Sequence, residues 1–417
     1  MLKLRQKSIF TLFVVFTFCT CIDPYTPKLT GYASLLVVDG LITDANTSYT
    51  VSLSRTFQEQ NSGSYSINNA TVSISDDSGN TTFLNNQGNG IYKTDSTEFK
   101  GIVGRTYVLN VLTNAGESYE SELCLMQAVP DIDSVYFAKD QQFTNNQTQL
   151  QDGVMVYLDS RQGDKNQYLR WDFEEVWKFK IPYPKTFNYV LNPDDPNLPF
   201  FSPVNAKDVK EFCWKSRKSD EILIYSDYSG LGGTIKKEPI YFIPSDKSDR
   251  LSMQYSILVK QYSISKKEFD FWNNLKQVNV AGGDIFAKQP FTVISNIHNI
   301  NNPKERVLGY FQVSAVKQKR SYLTFGQFAD MGLPYYHSTC ERFVKEPLDY
   351  PNACCQPPPT WDDLYTIFCR NSDYYFIEPL FNPGTFELVK MVFARPECAN
   401  CELTGTQKRP DFWVDLN

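Results

Sequence analysis

From Ser34 to about Glu122 the chain is a series of short runs in which apolar and polar residues alternate, each closed by turn residues. "SLLVVDGLIT", "YTVSLSR", "ATVSIS", "TTFL", "GIYKT", "RTYVLNVLT" and "ESYESE" each predict a strand, because alternation places successive side chains on opposite faces of a pleated ribbon. "DDSGN" and "TNAGE" separate them as turns. Seven short strands without a convincing helix predict a β-sandwich of immunoglobulin-like or transthyretin-like type over residues 34–128.

"MQAVPDIDSVYF" marks the crossing into a larger β-rich domain, residues 131–417. Its strand candidates include "GVMVYLDS", "QYLRWDFEEVWKFKI" and "LSMQYSILVKQYSIS", with more in "RVLGYFQVSAVKQKRSYLTF". Residues 181–203 hold six prolines. A backbone missing that many donors is expected not to pair in a ladder, so this stretch reads as an insertion loop and a candidate binding element. One helix is predicted near 265–277. Ser265 and Glu268 have capping-box spacing, and Phe269, Trp272 and Leu275 share a face that would pack on a sheet. The fold class is therefore mainly β, a sandwich followed by a larger β-rich domain with one packed helix.

The first twenty residues depart from this pattern. Lys3, Arg5 and Lys7 precede an apolar run from Ile9 to Phe18, the charged and hydrophobic parts of an export signal, too short to span a bilayer comfortably. Thr20 followed by Cys21 matches a lipoprotein cleavage site, which predicts a lipoprotein signal peptide over 1–20 and lipidation at Cys21. Cys19 is the rival acceptor, disfavoured by Phe18 before it. Residues 21–33, with two prolines, read as a tether from membrane to folded body. A lone Asp23 after the cysteine signals the cell surface only weakly, so the expected location is a lipid-anchored outer membrane.

Composition then narrows the chemistry. A formal charge of -6 offers no basic field for nucleic acid. With 25 Tyr and 30 Phe but two His, the chain suits pleated, half-buried surfaces and offers little for a His-based centre. No metal, cofactor or catalytic set is expected. Asp76, Ser78 and Asn80 alternate as calcium ligands do, but Gln87 stands where the bidentate Glu is needed, so they read as a turn. "GLGGTIKK" lacks Walker spacing and its Lys-Ser/Thr ending. His337 and Cys340 imitate a Cys-His pair without an orienting third group. Asp172 and Glu174 share a strand face while Glu175 points away; paired acids could cleave a glycosidic bond, and the simpler reading is a solvated face opposite Trp171 and Phe173.

Eight cysteines follow Cys21: Cys124, Cys213, Cys340, Cys354, Cys355, Cys369, Cys398 and Cys401. Six crowd the tail from 340 to 417, where Cys398-Ala-Asn-Cys401 could serve redox chemistry, zinc or disulfides. In an exported chain, disulfides with no assigned pairing are the expectation. No second Cys-x-x-Cys supports zinc.

At "LLVVDGLITD", "YSILVKQYSISKKEFDFW", "QPFTVISNIHNINNPKERVLGYF" and "RPDFW" the chain resembles a Bacteroidota lipoprotein family known as domain of unknown function 4249. That resemblance implies an outer-membrane lipoprotein, often encoded beside a TonB-dependent receptor, and carries no catalytic residues with it. The leading expectation is a non-enzymatic accessory or ligand-capture partner of such a receptor. A structural subunit of an outer-membrane assembly or export complex is the alternative, and a glycan or peptide hydrolase ranks below both.

Overall fold

In the computed structural model the strand Leu36–Ile42 buries Leu36, Val38 and Ile42 and turns Val37, Asp39 and Leu41 outward, as its alternation requires. The structure describes residues 34–56, 64–97, 99–144, 149–161, 167–227, 233–281, 293–347, 359–370 and 373–416. The signal segment, Cys21, the tether, Cys354, Cys355 and the first three residues of "GLGGTIKK" lie outside them. The fold is mainly β.

The first sandwich has two six-stranded sheets. One runs through Leu308–Val313, Leu36–Ile42, Thr50–Thr56, Ile91–Lys93 and Asn85–Asn86. The other runs through Ile297–Asn299, Ser118–Ser121, Thr106–Leu112, Thr71–Asp76 and Thr81–Phe83. Val51, Leu53, Val72, Ile74, Leu109 and Phe311 fill the space between. Two strands come from residues 297–313, beyond the expected boundary at 128. Leu308–Val313 lies parallel to Leu36–Ile42, with Val37 opposite Leu308. Parallel partners need a long crossover rather than a tight turn, so no local signal announces them. Gly309 sits at φ +84°, where an added Cβ would strike the Val38 carbonyl oxygen, so this close approach requires glycine.

The second sandwich faces the sheet Ile132–Phe143, Leu150–Arg161, Thr234–Pro244 against the sheet Phe212–Lys218, Tyr168–Lys180, Gln254–Ile264, Val316–Thr324. Trp171, Phe173, Ile257 and Val259 meet Val154, Val156 and Leu158 between them. The predicted helix, Lys266–Ala281 (α1), packs on the outer face of the second of these sheets, where Phe269 and Trp272 meet Tyr262, Ile264 and Leu41 of the first sandwich. The capping box is half made: Ser265 Oγ accepts from the Glu268 backbone, while the Glu268 carboxyl turns inward.

Residues 181–203 are not an unpaired loop. Phe187–Val190 and Phe200–Pro203 form a hairpin with Val190 opposite Phe200. The prolines fall before the first strand, in the connection, or at the last paired position, so the ladder loses almost no donors. This hairpin packs with the sheet Arg342–Lys345, Leu388–Ala394, Tyr375–Phe381 and the helix Trp361–Cys369 into a third lobe around Leu364, Phe376, Met391 and Phe393. Tyr189 stacks on Tyr365 at 4.0 Å and donates a hydrogen bond to Asp362.

Among the described residues two disulfides fasten the lobe. Cys340 bridges Cys398 within it, and Cys401 bridges Cys213 on the strand Phe212–Lys218. Of the other disulfide candidates, Cys124 and Cys369 carry free thiols. The chain end crosses the outer face of the same sheet: Trp413 is buried edge-on against Trp214 and Tyr322, and Gln254 exchanges hydrogen bonds with Val414 and Leu416. The "RPDFW" segment is thus a packing element.

Candidate functional site

The strand Tyr168–Lys180 sends odd-numbered side chains into the second sandwich and even-numbered ones outward. Outward-facing Arg170, Asp172 and Glu174 do not form a merely solvated surface. With Lys260 and Tyr262 of the neighbouring strand they floor a cleft of about 360 Å³, walled by Leu41, by Trp272 of α1 and by residues 218–222. Arg170 donates to Gln312 at 2.7 Å, lies 3.7 Å from Asp172, and covers the Trp272 ring at 4.4 Å. Lys260 pairs with Glu174 at 2.8 Å. Burial raises the Asp172 carboxyl despite Arg170 nearby. Burial also opposes charge on Glu174, yet the Lys260 bond and charge outweigh it and hold that carboxyl below its usual range. Two neighbouring acids are thus driven apart in acidity, and the cleft floor offers a polar ligand two carboxyl groups of unequal acidity.

Arg170 and Trp272 also border a second cleft of about 290 Å³, which ends at Tyr310. Tyr310 in turn lines a third, of about 260 Å³, that reaches Cys124, Asn296 and Glu268. The three follow one another along the seam between the sandwiches, with α1 beside them.

Glu175, on the inward face, is fully buried and held by Arg250 at 3.1 and 3.2 Å and by the Tyr255 hydroxyl at 2.9 Å. Sequence gave its direction but not its partners, because Arg250 and Tyr255 lie some eighty residues away.

The remaining sequence candidates resolve locally. The Asp76 carboxylate accepts from the backbone of Ser78 and Asn80 and pairs with Arg105, which fills it as a turn. Among the described residues no three His, Cys, Asp or Glu side chains gather as a metal site. Cys340 is bridged to Cys398, so it offers His337 no thiol, and His337 lies against Tyr335. Cys398 and Cys401 are bridged to different partners rather than to each other or to zinc. Burial pushes the free thiols up, Cys124 to about 12 and Cys369 to about 11, far from thiolate chemistry.

The proline-rich hairpin, a candidate binding element in the sequence, meets the Cys-rich tail in the third lobe. Phe201 and Phe381 touch edge to face at 5.9 Å and bring two hairpin ends together. Around them Phe200 is 60% exposed, Leu198 65% and Phe386 81%. Phe386 also holds φ at +57°, which a bulky side chain seldom adopts.

Solved structures offer distant likenesses only. A Salmonella alpha-2-macroglobulin mutant matches at 8% identity and TM-score 0.15, over 89% of this chain and 17% of that one. The BSP domain of a biofilm-associated protein matches at 7% identity and TM-score 0.11, over 72% of this chain and 62% of that one. No curated protein matches. The family model described as "Domain of unknown function (DUF4249)" matches residues 22–320, which takes in the first sandwich, most of the second, and the seam between them. The match takes in the hairpin of the disulfide-fastened lobe and stops before the rest of that lobe and before Trp413, and over that span of well more than half its length the chain belongs to the DUF4249 family.

Proposed function

We propose that this chain is a non-enzymatic outer-membrane lipoprotein, anchored through Cys21, that serves as an accessory or ligand-capture partner of a TonB-dependent receptor. The observation that carries the reading is the apolar rim of the third lobe. Phe200, Leu198 and Phe386 stand exposed on hairpin ends that the Phe201–Phe381 contact joins. Exposed aromatics bury a large apolar area when they enter a partner's surface, and a patch of this kind supports an interaction site. The two bridges fit an oxidising compartment, which agrees with the export signal read at the N-terminus.

Co-purification from detergent-solubilised native membranes tests the reading. The wild-type chain is expected to bring down one TonB-dependent receptor, and Phe200→Asp with Phe386→Asp to lose it. Recovery of a multi-component assembly without such a receptor would replace this reading with a structural subunit. Recovery of no outer-membrane protein would reject both.

A further inference from the structure

Glu268 sits in the first turn of α1 and is 3% exposed, yet its carboxyl borders the 260 Å³ cavity at the end of the seam. A carboxylate can accept about four hydrogen bonds. Among the described residues this one accepts a single bond, from Trp272 Nε1 at 3.3 Å. The groups around it are otherwise engaged. Asn296 bonds both backbone groups of Phe311 and the Cys124 thiol.

Among the described residues no cation pairs with the carboxyl. At the mouth Lys266 pairs with Asp270 at 2.6 Å and Lys267 with Glu122 at 2.8 Å. Arg170, facing it from the strand Tyr168–Lys180, is committed to Gln312, Asp172 and the Trp272 ring. Cys124, Glu122 and Tyr310 complete the surroundings and supply no positive charge. Burial pushes Glu268 up to about 8, only partly countered by Arg170 and the Trp272 bond, so the acid keeps its proton at neutral pH.

We propose that this cavity binds the primary ammonium group of a small ligand, with Glu268 as its counter-ion. An ammonium brings three donors to an acceptor-rich carboxylate and supplies it a positive charge, since the two lysines that line the cavity are paired with Asp270 and Glu122. One proton leaves Glu268 for solvent as the cation enters, so the cavity stays neutral before and after. Tyr310 and Phe311 give the alkyl part an apolar wall. The proposal rests on the ligand-capture side of the reading above, and its test reads the cavity alone, whereas co-purification reads the receptor.

Calorimetry on the folded chain with n-butylammonium chloride at pH 7, in phosphate and in HEPES, decides it. Saturable binding with release of close to one proton is expected. Glu268→Gln should weaken binding about tenfold or more and abolish the proton release, since a charged hydrogen bond becomes a neutral one. 1-Butanol should not compete. Leu125→Trp, at the exposed rim, should weaken binding without touching the carboxyl, which keeps the test open should Glu268→Gln fold poorly. No saturable heat, no proton release, equal affinity in both variants, or competition by butanol would overturn the proposal.

Discussion

Replacing Glu268 by Gln should stabilise the chain, and by an amount that depends on pH. The buried carboxyl keeps its proton up to about pH 8 in the folded chain, whereas the ordinary value is 4.5. Between those limits unfolding releases a proton, so rising pH favours the unfolded state. The stability this group contributes is fully present below pH 4.5 and is lost as pH rises towards 8. Each pH unit in that window costs about 1.4 kcal/mol, so about 3 kcal/mol is gone by pH 7. Gln keeps the bond from Trp272 and has no proton to lose. Urea titrations from pH 5 to 8, followed by tryptophan fluorescence, should show the variant gaining on wild type with each pH unit, with near equality at pH 5. A difference that stays flat with pH, or one that grows in favour of wild type, would refute the reasoning.

Glu175→Gln should destabilise by about 2–3 kcal/mol, because half-buried Arg250 would lose its charged partner; chemical denaturation measures it. Trp413→Ala should cost about 3–5 kcal/mol and expose residues 406–416 to protease, read by limited digestion and mass spectrometry. The Cys213–Cys401 bridge closes a separation of 188 residues, so Cys401→Ser should cost about 3–5 kcal/mol, read as a lower denaturation midpoint under non-reducing conditions. Cys124 and Cys369 should resist alkylation at pH 8 until the chain is unfolded, as burial holds both thiols protonated.

Where a structural cause is local, the sequence already shows it. Alternation located Leu36–Ile42 and Tyr168–Lys180 and told Glu174 from Glu175, and the Ser265 cap located α1. Proline content misled at residues 181–203, because what matters is whether prolines occupy paired positions, and most of these do not. The seam was illegible: Arg170, Gln312, Trp272 and Glu268 come from three separate stretches, and no pattern within one stretch encodes their meeting. The half-used capping box was the available clue, since a Glu freed from its cap can turn inward.

The parallel pairing of Leu308–Val313 with Leu36–Ile42 sets the order of events in biogenesis. A chain emerging N-terminus first, from a ribosome or through a translocation pore, cannot close its leading sandwich until residue 313 arrives. Until then Leu36, Val38 and Ile42 lack the strand that carries Phe311, and one edge of their sheet lies open. The leading unit therefore finishes alongside the second sandwich rather than ahead of it. A fragment ending at residue 128 should aggregate, while one extended past residue 324 should not.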